Sequence, residues 1–112
     1  MGLDFYMAKS IDSINIDDAV IELCEELQEY LYKKREVIDF DIRCIYELDP
    51  YGDTELDSGN MENLIAVCDK IIDSDYLSDY DEEEEARALL INLKSLCKKA
   101  IKNDLKVYAI GD

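Results

Sequence analysis

An α+β domain, with a three-stranded sheet covered by three helices in the order β-α-β-α-α-β, is the fold class that this sequence predicts. Apolar residues alternate with polar ones in two short stretches, 3–8 and 39–48, which is the period of a half-buried strand, and residues 105–110 read as a third strand. They recur at three-four spacing in three longer stretches, the stripe of an amphipathic helix. Charge runs and turn chemistry separate the stretches. Residues 1–112 are read as a single globular domain, because 112 residues suffice for one core and not for two. The chain is 48% hydrophobic and 36% charged, a globular rather than a disordered composition.

The first strand is read over residues 3–8, where Leu3, Phe5 and Met7 alternate with Asp4, Tyr6 and Ala8. Asn15 or Asp17 then caps a helix whose inward residues are Val20, Leu23, Cys24, Leu27, Tyr30 and Leu31, ending in the basic run Lys33-Lys34-Arg35. Residues 39–48 alternate again. Phe40, Ile42, Cys44, Tyr46 and Leu48 face the core, Asp41, Arg43 and Glu47 face water, and Ile45 is the exception. A turn comes next, over 49–54: Pro50 presets one dihedral, Gly52 permits a left-handed one, and Asp53 and Thr54 bond nearby amides. Ser58 or Asn60 starts a second helix with Met61, Leu64, Ile65, Cys68, Ile71 and Ile72 inward. After an acidic linker over 73–81, a third helix opens on Glu82-Glu83-Glu84-Glu85 and closes on Lys98, Lys99 and Lys102, acids and bases each at the favourable end of the dipole. Residues 105–110 read as the last strand.

Charge is the strongest compositional signal: 28 acids against 12 bases, a net −16. Such a field repels nucleic acid and anionic membrane and attracts basic proteins and cations. The plainer account is that acidity keeps a cytoplasmic protein in solution. The N-terminal stretch has an acid where a secretory signal carries bases, and no apolar run is long enough to span a bilayer, so a cytoplasmic location is expected. Cys24, Cys44, Cys68 and Cys97 form no C-x-x-C pair and each falls on an apolar stripe, so they read as buried free thiols. The chain has no histidine, which leaves no ready zinc, haem or histidine-based chemistry. No cofactor and no catalytic residue is assigned.

Three carboxylate groupings admit both a chemical and a structural role. Asp49, Asp53, Glu55 and Asp57 crowd the central turn, where turn chemistry accounts for them better than a catalytic pair does. From Asp73, carboxylates at the first, third, ninth and twelfth places partly match a calcium loop, but Leu77 holds the fifth place and Ser78 the sixth, where an oxygen ligand and glycine belong. Residues 73–85 hold eight acids and no base, interleaved with Tyr76, Leu77 and Tyr80. Aromatics among charges are the composition of an interface core within a steering rim; alternatively they tuck beneath the connection. Asp73, Asp75, Tyr76, Asp79, Tyr80, Asp81 and Glu82, with Asp49 and Asp53 if the fold adds them, are the candidate partner-binding residues.

The stretches Leu48-Asp49-Pro50-Tyr51-Gly52-Asp53-Thr54 and Leu105-Lys106-Val107-Tyr108-Ala109-Ile110-Gly111-Asp112 resemble small acidic bacterial proteins in which a D-P-Y-G-D-T turn precedes a helix and a last strand ends in Gly-Asp. These are similar to the immunity proteins of bacterial toxin systems. The resemblance covers residues 42–112 and departs from the pattern at Glu55-Leu56-Asp57. It implies a non-catalytic inhibitor of a basic toxin, such as a nuclease, acting by occlusion of the toxin's cleft. The alternatives are an acidic nucleic-acid mimic of phage type, and a small carboxylate enzyme or calcium-binding module.

Overall fold

The alternation of Leu3 and Phe5 does build a strand, β1 (Gly2–Ala8), and the last stretch builds β4 (Lys106–Ile110) beside it. The computed structural model describes residues 2–14, 21–49 and 51–111. Two further strands, β2 (Ile21–Cys24) and β3 (Asp53–Leu56), complete an antiparallel sheet of order β2-β1-β4-β3. The helices are α1 (Glu25–Lys34), the four-residue α2 (Arg43–Tyr46), α3 (Ser58–Asp73) and α4 (Glu83–Lys102). The α+β class and the order of the main elements hold. The sheet, however, has four strands rather than three, and two segments take another form than their periodicity indicated.

The first correction falls on the expected first helix. Residues 21–24 are a strand, and the helix begins only at Glu25. Ile21 and Leu23 stand opposite Phe5 and Leu3 in the ladder and share their buried face. Leu23, Leu27 and Leu31 are four residues apart, which imitates a helical stripe although only the last two belong to the helix. Asn15, Asp17 and Val20, the expected caps and first inward residue, lie outside the described residues.

Residues 39–48 are the second correction. They form no strand: the buried residues are Ile38, Ile42, Ile45 and Leu48, spaced three and four apart, and Ile45, expected on the wet side, is fully buried. Asp41 decides the local form. Its Oδ1 accepts from the Arg43 backbone N–H at 3.0 Å, closing a turn that starts α2. Gln28, buried on α1, donates its amide to the carbonyls of Ile45 and Leu48, both at 3.0 Å. In this way a side chain supplies partners that a strand would have found in a ladder.

The fourth strand comes from the stretch read as turn. Asp53–Leu56 pairs with Ile110–Val107 at the sheet edge. Asp53 is therefore a ladder residue, and the turn's side-chain bond comes from Asp49, whose Oδ1 accepts from the Tyr51 N–H at 2.9 Å. Gly52 has no left-handed backbone. A Cβ there would stand 2.7 Å from Asp49 Oδ2, so a side chain at 52 would displace the Asp49 carboxylate. Pro50 lies outside the described residues.

The last two helices obey their sequence signals. Asp57 caps α3, accepting from the Asn60 N–H at 2.8 Å while Asn60 Oδ1 accepts from the Asp57 N–H. Beyond α4, Asp104 takes the left-handed conformation usual for glycine (φ 55°), and the Leu105 and Asp104 amides donate to the Ala100 and Ile101 carbonyls. That motif reverses the chain into β4.

One sheet face, built from Leu3, Phe5, Ile21, Leu23, Leu56, Val107 and Ala109, shares a core with Leu27 and Leu31 of α1 and with the inward rows of α3 and α4. On the other face Tyr6 stands opposite Tyr108; both are buried, and the Tyr108 hydroxyl donates to Glu55 at 2.9 Å.

This packing has two measurable consequences. Ile45→Ala should cost about 2–5 kcal/mol in denaturant unfolding, as for a buried large-to-small change; a loss within about 0.5 kcal/mol would restore the strand reading, in which Ile45 is wet. Cys68 and Cys97 are buried, and burial pushes the Cys97 thiol up to about 12 and Cys68 further. Burial also raises half-buried Cys44, to about 11. Ellman's reagent should therefore modify Cys68 and Cys97 only as fast as the protein unfolds, and rapid modification of either in the folded protein would contradict the packing.

Candidate functional site

The connection between α3 and α4 carries the acid run, and it is held in place by its apolar residues. Leu77 is fully buried and Tyr76 and Tyr80 are half-buried against the core. The Tyr80 ring lies 4.9 Å from that of Tyr30, and its hydroxyl lies 3.8 Å from Cys24 Sγ. Burial, then the thiol, raises the Tyr80 phenol above its ordinary pKa. Tyr30 in turn donates its hydroxyl to the Tyr76 carbonyl. Tyr76 reaches Asp39 at 3.4 Å, with its ring 6.0 Å from that of Phe40. The two tyrosines thus tuck beneath the connection, which was the alternative to their standing free as anchors.

Two basic side chains pin the same segment. Arg87 donates to the Ile72 carbonyl at 2.6 Å and the Ser74 carbonyl at 3.1 Å, and also pairs with Glu83 at 3.3 Å. It therefore closes the end of α3, where carbonyls lack helical partners. Lys34 meets Asp79 at 3.2 Å. Between these staples Asp73, Asp75, Asp79, Asp81, Glu82, Glu84 and Glu85 are exposed and Glu83 is half-buried. The result is an ordered loop with carboxylates on its outer side.

Asp53 does not join this group. It lies before the cap of α3, whereas Asp73 ends that helix, and 16 residues at a rise of about 1.5 Å each separate the two by roughly 24 Å. Asp49 is engaged in its own turn. Glu55 is bonded by Tyr108 and Lys106, which hold its carboxyl below the usual range. Asp57 serves as a helix cap. Asp49, Glu55 and Asp57 thus each have a structural partner, and Asp53 is placed by its ladder. The calcium reading also loses its geometry, because Leu77, at the fifth place of the loop, turns into the core. Among the described residues no three of the His, Cys, Asp or Glu type converge as a metal-binding set, and no helix is long and apolar enough to cross a membrane.

Sequence reasoning missed where the exposed aromatics lie. Among the described residues they are Tyr32 on α1 and Tyr51 on the central turn, 47% and 59% exposed. Between α1 and α2 an open groove of about 410 Å³ is lined by Glu25, Gln28, Glu29, Tyr32 and Tyr46. The Tyr51 hydroxyl reaches Glu25 at 3.5 Å, and Tyr46 stands edge-on to Tyr32 at 5.3 Å. Gln28 spends its amide nitrogen on Ile45 and Leu48, and its buried Oε1 has no hydrogen-bond partner. The only signal in the sequence was the off-stripe position of Tyr32 and the place of Tyr51 inside a turn.

No protein-family model, curated protein or solved structure matches the chain.

The pinning of the loop is testable. Arg87→Gln should cost about 1.5–3 kcal/mol, the usual loss for hydrogen bonds from a charged donor, and should speed amide exchange across residues 74–80. Unchanged exchange there would show that Leu77 alone holds the segment.

Proposed function

We propose that this protein is a non-catalytic binding protein, an inhibitor of the immunity or antitoxin type that occludes the cleft of a basic toxin. The observation that carries this reading is the acid run from Asp73, the last residue of α3, to Glu85 in the first turn of α4: seven exposed carboxylates on and beside a loop that Arg87, Lys34 and three apolar side chains keep in one shape. A flexible acidic tail would lose ordering entropy on binding, whereas an ordered loop has lost it already. A cleft that binds phosphates presents cations, and carboxylates compete for them there. Steering between opposite charges also speeds capture, as an inhibitor of a lethal protein requires. Four free thiols, two of them fully buried, suit a reducing cytoplasm.

The test uses the protein encoded beside this one. Binding should slow as salt rises, because the screening length falls from about 10 Å at 0.1 M to about 3 Å at 1 M. Asp75→Lys, Asp79→Lys and Glu82→Lys together should lower the association rate by about tenfold or more and leave the melting transition nearly in place. Loss of the Lys34–Asp79 pair and of an acid at the helix start costs only about 0–1 kcal/mol each. Undiminished, salt-independent capture by the folded triple variant would overturn the proposal.

A further inference from the structure

The outer side of α4 is exposed along its length, and its residues form an ordered series. Positions 84, 88, 91, 95, 98 and 102 recur at four-three spacing, the row that meets a second helix in a two-helix seam. They are Glu84, Ala88, Ile91, Ser95, Lys98 and Lys102, and all six are exposed. Ile91, near the middle, is 45% exposed. Beside the row, Glu85, Ala88, Leu89 and Asn92 line an open groove of about 290 Å³ against Ile21 and Glu22 of β2. Acids thus stand at one end of this side, bases at the other, and small or apolar residues between them.

In so acidic a chain the lysines matter most. Ion pairs between described residues use Lys33, Lys34, Arg43, Arg87, Lys94 and Lys106. Lys98, Lys99 and Lys102 enter none with a described residue, and Lys98 acts on Asp69 of α3 only at a distance. Glu84 and Glu85 likewise enter none. The helix dipole favours these signs at these ends, but it does not require both ends to share one side with Ile91. Turned end for end, the row complements itself. Against an antiparallel copy, Glu84 would face Lys102, Ile91 would face Ser95, and Ala88 would receive the apolar stem of Lys98. On the flank, Glu85 would face Lys99. Parallel pairing would set acid against acid and base against base.

We infer that α4 pairs antiparallel with α4 of a second copy of this chain, in a two-fold dimer centred between Ile91 and Ser95. The inference goes beyond the inhibitor role and does not depend on it. The charge pairs set direction and register, and Ile91 with the groove beside β2 supplies the apolar contact. The 20 residues of α4 make a strip about 30 Å long, which covers roughly 300 Å² on each copy. Standard interfaces bury about 1,200 Å² or more in total. The dimer is therefore weak and depends on concentration.

Sedimentation equilibrium at about 0.15 M salt, where the screening length is about 8 Å, is the measurement. Over about 0.02–2 mM protein the mass should rise from monomer toward dimer. Glu84→Lys with Glu85→Lys, and Lys99→Glu with Lys102→Glu, should each stay monomeric. Mixed in equal amounts, the two variants should associate at least as well as the unaltered protein, because every facing pair is again opposite in sign. Net repulsion alone gives another pattern: the first variant carries −12 in place of −16 and would associate more. Ile91→Ser should weaken the dimer about threefold or more. Thermal melts verify that each variant keeps its fold. The loop variant Asp75→Lys, Asp79→Lys, Glu82→Lys should dimerise like the unaltered protein, since none of the three lies on the row. A monomer at every concentration, undiminished association by either double variant, or a mixture that stays monomeric would overturn the proposal. Loss of the dimer in the loop variant would do so too, because the contact would then run head-to-tail between loop and lysines.

Discussion

Much of this molecule depends on one buried amide. The segment from Ile38 to Leu48 has no ladder and only four residues of helix, so its carbonyls need partners from elsewhere. The Gln28 side chain supplies two of them, at Ile45 and Leu48, from inside the core. A buried carbonyl left without a donor costs about 1–3 kcal/mol, so this one side chain secures an irregular segment against α1. The next elements of the chain inherit that position. The turn at Asp49–Gly52 starts where Leu48 is held, β3 starts where the turn ends, and α3 starts at the cap after β3. The unbonded Gln28 oxygen, itself buried, is the other side of the same arrangement.

The charges divide into those that build and those that face water. Arg87 and Lys34 hold the acidic loop, Lys94 meets Asp69 at 2.6 Å between α4 and α3, and Lys106 and Tyr108 hold Glu55 on the edge strand. Arg43 is bound to Asp41 at 2.8 Å and holds that carboxyl down to about 2. With these bases used in local pairs, the uncompensated acids dominate the long-range field. The net −16 therefore acts outward.

The sequence by itself determined the elements whose periodicity runs long enough to be unambiguous. α3 and α4 each repeat their stripe over four turns or more, and both carry end signals, so inward residues such as Met61, Leu64, Leu90 and Cys97 were legible. β1 was legible from its alternation, and the last stretch, 105–110, was also read as the strand that β4 is. The acidity of the loop needed no fold at all. Tertiary structure decided the short segments, where two periods fit the same letters. Leu23, Leu27 and Leu31 satisfy a helix, while Ile21 and Leu23 satisfy a strand, and the free edge of β1 selected the strand. Over 39–48 the alternation was real, but Gln28 and the Asp41 turn outweighed it. Exposure of the aromatics was decided there too. Tyr76 and Tyr80 could stand free or tuck under and took Phe40 and Tyr30 as neighbours, while Tyr51 was left in water on the central turn. The physical reason is common to all of these: over four to ten residues local preference is worth little, and burial against distant partners chooses the form.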